Sequence, residues 1–363
     1  INTNTDIDLE GEYPLLVEIN RDTRRLNLAT YSPLKYVLAE KREEYDRRYS
    51  MEVGDGRGIF KQIDREESLL HLMRVNLLKR MESSINSFAV TIERLLKQVN
   101  ELIDKIESHS YQEIEELSIE EIEVEAQELS DLMAGNKVKV LIQDTDQVRW
   151  KQDLMDDKKL LENLFNDAVK IIPDRDAKLF QLKQTIKRKI EDPINQDNKK
   201  LLIFTAFSDT AQYLYENIAI WVLEELGLHS AVVTGGGTNK TTMPGVGTEF
   251  SNILTAFSPV SKERNKIDQS ATAEIDLLIA TDCISEGQNL QDCDTLINYD
   301  IHWNPVRIIQ RFGRVDRLGS KNEQIQLINF WPNMELDEYI NLEARVSGRM
   351  VLLDISATGE ENA

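Results

Sequence analysis

The stretch Leu201-Leu202-Ile203-Phe204-Thr205-Ala206-Phe207-Ser208-Asp209 breaks with what precedes it. Upstream, Asp192-Pro193-Ile194-Asn195 closes a helical pattern; then a short apolar run gives way to Ser208 and Asp209, residues suited to a helix start. A strand apolar on both faces is one that is covered on both faces. The pattern then recurs. A helix to Glu225 with Gly227 as its C-cap leads to an apolar run from Ser230 to Val233. Further on come a helix near Glu249 to Phe257 and strands at Asp276 to Ala280 and Thr295 to Asn298. A helix opened by Asn304 and Pro305 and a strand from Ile325 to Phe330 complete the series. Strands alternating with helices predict an α/β fold over residues 196–333, a parallel sheet flanked by helices. Ligands of such sheets sit beyond the carboxyl ends of the strands. The loops expected there are Thr205 to Ser208, Gly235 to Gly247, Thr281 to Gln291 and Asp300 to Pro305.

Working towards the amino end, apolar residues recur at Leu78, Met81, Ile85, Phe88, Ile92, Leu95, Val99, Leu102 and Ile106, in steps of three and four. This spacing predicts one long amphipathic helix whose stripe needs a partner helix, with Leu161, Leu164, Ala168, Ile171, Leu179, Leu182 and Ile186 as candidates. Residues 61–195 therefore read as a large α-helical insertion or subdomain. Residues 1–60, with a candidate strand from Leu15 to Ile19, read as a linker or remnant of a preceding lobe, and 334–363 as a C-terminal helical extension. The chain opens on Ile1 rather than Met, which suggests an excised piece of a longer protein.

The 363 residues are 41% hydrophobic and 29% charged, and they contain no apolar run long enough for a membrane span. Two cysteines make no disulfide framework, so a cytoplasmic protein is expected. With 43 basic and 64 acidic residues the net charge is −21, which argues against nucleic-acid binding unless the charge is unevenly placed. It is: residues 101–135 carry 12 acids against one base, whereas residues 307–321 carry five bases against the single acid Asp316. A local cationic site survives the overall sign. No metal is expected, because Cys283, Cys293 and His302 lack the paired spacing of zinc sites.

That cationic stretch contains Gln310-Arg311-Phe312-Gly313-Arg314-Val315-Asp316-Arg317. On a continuous helix Gln310, Arg314 and Arg317 would share one face and Ile308, Phe312 and Val315 the other. Planar guanidiniums on a rigid support suit phosphate oxygens. Thr281-Asp282 with Ser285-Glu286-Gly287-Gln288-Asn289-Leu290 resembles motif V of superfamily 2 helicases; Gln310 to Arg317 resembles motif VI, and Leu201 to Thr205 motif IV. The wording is most similar to the RapA-like branch of Snf2-type ATPases, and Leu77 to Ser84 is similar to the segment that joins their motor lobes. The resemblance implies the second RecA-like lobe of an ATP-dependent translocase acting on duplex DNA. It implies Arg314 and Arg317 as arginine fingers, Gln310 as a polar orienter beside them, and Asp282, Gly287, Gln288 and Asn289 near the nucleotide. Thr205, Thr281 and Ser285 would lie near the nucleic-acid backbone. ATP and Mg2+ are the implied cofactors, and the first RecA-like lobe of the same protein, which holds the metal ligands, is the implied partner. Arg311 reads as a packing or lobe-docking residue, so that its loss should be milder than loss of the fingers.

Two look-alikes are set aside. Gly235-Gly236-Gly237-Thr238-Asn239-Lys240-Thr241 imitates a phosphate loop but has Asn239 where glycine belongs, and Asp337-Glu338 imitates an acidic box without a strand before it. Phe207 and Trp303 could stack on a base, although core packing is their simpler reading. The alternative function is a non-catalytic interaction protein in which a degenerate RecA-like domain presents the acidic helices to a partner.

Overall fold

The computed structural model describes residues 7–49, 51–53, 58–60, 62–108, 113–115, 139–235, 239–267, 273–284, 288–301, 305–317 and 319–331. The chain forms two compact units, one of Tyr13–Met81 and Phe88–Lys170, the other of Ile1–Glu12, Glu82–Ser87 and Ile171–Ala363. These cut the chain elsewhere than the sequence boundaries at 60 and 195. Extension 334–363, Trp303, His302, Asp337 and Glu338 lie outside the described residues.

The first unit is built from helices α1 (Leu16–Arg25), α2 (Ala39–Tyr49), α3 (Gln62–Ser83), α4 (Ile85–Glu107) and α5 (Gln147–Ala168). Two antiparallel ladders accompany them: β1 (Met51–Val53) with β2 (Gly58–Phe60), and β3 (Glu113–Glu115) with β4 (Lys139–Leu141). The expected strand from Leu15 to Ile19 is helix α1. Its buried residues are Ile19 and Thr23, four apart, while Leu15 and Val17 are exposed, so the apolar run had mimicked a strand without being buried as one. The single helix expected from Leu78 to Ile106 is two, parted at Ser84, although every position of its stripe is buried. Ser83 and Ser84 explain the break, since serine hydroxyls compete for backbone groups and favour helix ends. Within this unit the Trp150 ring stacks on Tyr36 at 5.2 Å and its indole N–H donates to the Ala29 carbonyl at 2.9 Å. The Asp157 carboxylate accepts from the Asn27 and Ala29 amides at 2.5 and 2.9 Å, pinning the left-handed turn at Leu28.

The second unit begins with α6 (Ala177–Glu191) and continues β5 (Leu201–Phe204), α7 (Ser208–Leu226), β6 (Ser230–Val233), β7 (Lys240–Thr241) and α8 (Phe250–Phe257). There follow α9 (Arg264–Ile267), β8 (Leu277–Ala280), β9 (Thr295–Asn298), α10 (Pro305–Phe312) and β10 (Gln326–Asn329). The strands form one sheet in the order β10-β9-β5-β8-β6-β7, parallel throughout except for β7. The α/β fold expected from the sequence is present. Alternate residues serve opposite faces: Leu201 and Ile203 pack with Leu182 of α6 and Leu214 of α7, and Leu202 and Phe204 pack with Leu254 and Phe257 of α8. Leu179, Leu182 and Ile186, expected to partner the long helix, belong instead to this sheet's core. Gly227 ends α7 at φ 66°, a left-handed C-cap that glycine adopts without steric cost.

Candidate functional site

At the carboxyl end of the sheet, β9 runs out into Asn298-Tyr299-Asp300, and α10 returns across it carrying Arg311. That arginine is fully buried. Its Nε and Nη2 donate to the two Asp282 carboxylate oxygens at 2.7 Å each, and its Nη1 donates to Asn298 Oδ1 at 3.0 Å and the Asp300 carbonyl at 3.2 Å. The guanidinium also faces the Phe204 ring, 5.0 Å from its centroid. One side chain therefore fastens the ends of β5, β8 and β9 together. Asp282, expected near a nucleotide, has both carboxylate oxygens engaged by Arg311.

The Asp300 carboxylate is a second junction. It accepts from the Ser83 hydroxyl at 2.8 Å, the Ala206 amide at 3.0 Å, the Lys178 ammonium at 3.2 Å and the Thr205 hydroxyl. Lys178 also donates to the carbonyls of Glu82 and Ser83 and sits over the Tyr299 ring at 4.1 Å. Burial alone would lower the Lys178 pKa, but the Glu82 and Asp300 carboxylates outweigh it and the net shift is upward. Thr205, expected near a nucleic-acid backbone, is wholly buried with its hydroxyl on Asp300. Thr281 is also buried, its amide bonded to the Val233 carbonyl. Phe207 is core, as its simpler reading held.

Beyond Phe312 the helix stops. Arg314 and Val315 donate back only three residues, to the carbonyls of Arg311 and Phe312, which marks a tight turn. The shared helical face expected for Gln310, Arg314 and Arg317 is thereby corrected: Gln310 lies on α10, Arg314 in the turn and Arg317 past it. Val315 is buried and anchors the turn to the sheet core, while Arg317 is exposed with Nε on the Gly313 carbonyl at 3.0 Å. The buried Gln310 Oε1 has no hydrogen-bond partner among the described residues.

The loop after β8 meets this turn, the Leu290 amide donating to the Arg314 carbonyl at 2.9 Å. Gln288 accepts from Lys262 at 2.6 Å, and Asn289 Oδ1 accepts from the Gln291 amide at 3.3 Å. Ser285 and Gly287 lie outside the described residues. Gln310, Arg314 and Arg317 follow one another on α10 and the turn after it, Gln288 lies on the loop whose Leu290 meets that turn, and Asp282 and Thr205 are bonded to Arg311 and Asp300. Sequence reasoning missed Asn298, Asp300, Lys178 and Lys262. Asn298 and Asp300 carried a signal, a polar pair where an apolar strand enters a ligand-side loop. Lys240 of the glycine-rich look-alike lies on edge strand β7 and pairs with Glu216 at 3.1 Å. Among the described residues no group of three His, Cys, Asp or Glu side chains is gathered to hold a metal ion, and no helix is long and apolar enough to cross a membrane.

Residues 181–319 match the helicase conserved C-terminal domain. Over 174 residues the chain is 29% identical to the uncharacterized ATP-dependent helicase YqhH of Bacillus subtilis, a match covering 48% of this chain and 26% of that protein. Over 96 residues it is 30% identical to the ATP-dependent RNA helicase DBP8 of Candida albicans, covering 26% of this chain and 21% of that protein. Among solved structures, the Pyrococcus furiosus Hef helicase domain aligns at 15% identity with a TM-score of 0.42, over 89% of this chain and 54% of that one. The matched part of the chain thus spans about a quarter of the length of YqhH.

Proposed function

We propose, from the premise that residues 181–319 are the C-terminal lobe of a superfamily 2 helicase, that the chain is the second motor half of an Snf2-like, nucleic-acid-dependent ATPase. Arg314 and Arg317 would meet the phosphoryl group in transit, Gln310 and Gln288 would orient beside them, and duplex DNA would be the track. The observation that carries this reading is the turn after α10: it is clamped from beneath by Arg311 and leaves Arg317 exposed, with no carboxylate partner among the described residues. An exposed guanidinium with no carboxylate partner among the described residues, that of Arg317, fits a phosphate. Among the described residues no group of three His, Cys, Asp or Glu side chains is gathered at that turn, and the Mg2+ ligands would belong on a first lobe. ATP with Mg2+ supplies the transferable phosphoryl group, and the residues here would bind it, orient it and offset charge that grows in the transition state.

The test is steady-state ATP turnover by the full-length protein with Arg314→Ala and Arg317→Ala, with melting curves alongside and with duplex DNA, single-stranded DNA and RNA as separate stimulants. An arginine finger supplies about 10³ to 10⁵ in rate, so each variant should lose most turnover while keeping its fold. Near-wild-type turnover in both would refute the motor reading. Stimulation by RNA alone would replace the duplex-DNA assignment while leaving the ATPase intact.

A further inference from the structure

The segment after α8 is built with unusual care for an exposed connection. The Asp292 carboxylate accepts from the amides of Val260 and Ser261 at 2.6 and 2.9 Å and from the Ser261 hydroxyl at 2.5 Å. Ser258 is joined to the Ser261 hydroxyl at 2.6 Å, and the Lys262 amide closes on the Ser258 carbonyl at 3.0 Å. The chain then turns through Glu263 in the left-handed region, at φ 51°, a conformation a non-glycine residue keeps only when its surroundings require it. What this scaffold carries is Lys262, half-buried, with its ammonium on Gln288 Oε1 at 2.6 Å.

Lys262 makes no ion pair with any carboxylate among the described residues, and neither does Arg317. Their charges act on one another: burial first, and then Arg317, hold the Lys262 pKa below its ordinary value. Two like charges at close quarters cost free energy, and in a chain of net charge −21 a neutralising acid would be easy to place. Gln288 turns its oxygen to Lys262, which leaves its amide N–H groups directed away from the ammonium and without a hydrogen-bond partner among the described residues. Lysine, arginine and amide together are a donor-only set.

We propose that Lys262, with Gln288 and Arg317, forms an oxyanion subsite that binds a phosphate group. Lys262 itself lies outside the four stretches that resemble helicase motifs, and it adds a cation to Gln288 and Arg317, which lie within two of them. The subsite rests on the motor reading only for the origin of the phosphate: the terminal phosphate of a nucleotide or a backbone phosphate of nucleic acid.

The experiment titrates the 363-residue chain with two probes, sodium tripolyphosphate and a short DNA duplex, by calorimetry at several salt concentrations. The chains compared are wild type, Lys262→Gln, Lys262→Met and Lys262→Arg, each checked by its melting curve. The two neutral variants should weaken binding about tenfold, the worth of one charged hydrogen bond, and Lys262→Arg should retain most of it. Loss confined to tripolyphosphate assigns the subsite to the nucleotide. Loss confined to the duplex, with the salt slope reduced by about one, assigns it to the backbone, and loss of both assigns a position shared between them. Unchanged affinities for both probes in the neutral variants, or no binding of either probe by the wild type at millimolar concentration, would overturn the proposal. The two readings fail separately. Silent Lys262 variants beside inactive Arg314 and Arg317 variants defeat the subsite alone; weakened probe binding beside full turnover in those arginine variants defeats the motor alone.

Discussion

Arg311 shows how a residue's type can be read and its weight misjudged. As one of five bases between Arg307 and Lys321 it looked secondary to Arg314 and Arg317, and its loss was expected to be mild. Burial reverses that ranking for stability. Removing the guanidinium would leave Asp282, Asn298 and the Asp300 carbonyl without their donors, and breaking one side of a buried pair costs about 3 to 5 kcal/mol. Arg311→Ala should therefore lower the melting temperature of the chain more than Arg317→Ala, whose side chain is exposed; equal melting curves would contradict the clamp. Arg311→Lys should recover little, because a point charge cannot span both carboxylate oxygens. A second residue sets a pH dependence. Burial raises the Asp157 carboxyl to about 6 from 3.8, so the folded state holds a proton that the unfolded state has released. The sign follows: this contribution is fully present below pH 3.8 and is lost as pH rises through about 6, amounting to roughly 3 kcal/mol. Subtracting the stability profile of Asp157→Asn from that of the wild type isolates it. A flat difference between pH 4 and 7 would contradict the assignment.

At the scale of elements, legibility followed burial. Strands β5, β6, β8 and β9 are buried along their whole length, so they read as apolar runs and their order and type were plain. Strand β7 is two half-buried polar residues, Lys240 and Thr241, and left no pattern to read. The stripe from Leu78 to Ile106 was legible as helix but not as two helices, because one interrupting serine keeps Met81, Ile85 and Phe88 in phase. The site divided in the same way. Residue types and spacing single out Gln310, Arg314 and Arg317 as candidates, whereas the bonds of Asp282 and Thr205 are to Arg311 and Asp300, far away in sequence and not legible there. The stripe itself gives an element-scale prediction. Ile92 and Leu95 are buried on α4, at 0% and 1% exposure, and placing a carboxylate at either site leaves it desolvated and unpaired. Ile92→Asp and Leu95→Asp should each destabilise the helical unit by about 3 kcal/mol or more, and backbone amides of residues 88–102 should exchange slowly in the native chain. Fast exchange there would show that the stripe is not packed.

At the scale of the whole molecule the question is what the chain can do alone. On the proposed reading the lobe would offer cations and amides to a phosphate, but catalysis of phosphoryl transfer also needs a cradle for the β- and γ-phosphates, a lysine within it and carboxylates for Mg2+. The lysine that imitates such a loop, Lys240, is on edge strand β7, paired with Glu216 and held by the ladder to β6. Two carboxylates at the carboxyl end of the sheet are engaged, Asp282 by Arg311, and Asp300 by Lys178, Ser83 and Thr205, whereas Asp316 is exposed in the turn after α10. Freeing either would break a buried network, which costs more than a surface rearrangement. The 363-residue chain should therefore hydrolyse ATP no faster than its own Arg314→Ala variant, with or without nucleic acid. Restoring a lobe that carries a phosphate loop and an acidic box, in the same polypeptide or as a separate fragment, should bring turnover that depends on Arg314. The two measurements separate the possibilities. Arg314-dependent turnover by the chain alone would mean that the glycine-rich loop before Lys240 rearranges into a nucleotide site, and failure of the added lobe to elicit turnover in a folded complex would favour the reading of a degenerate RecA-like domain used for binding.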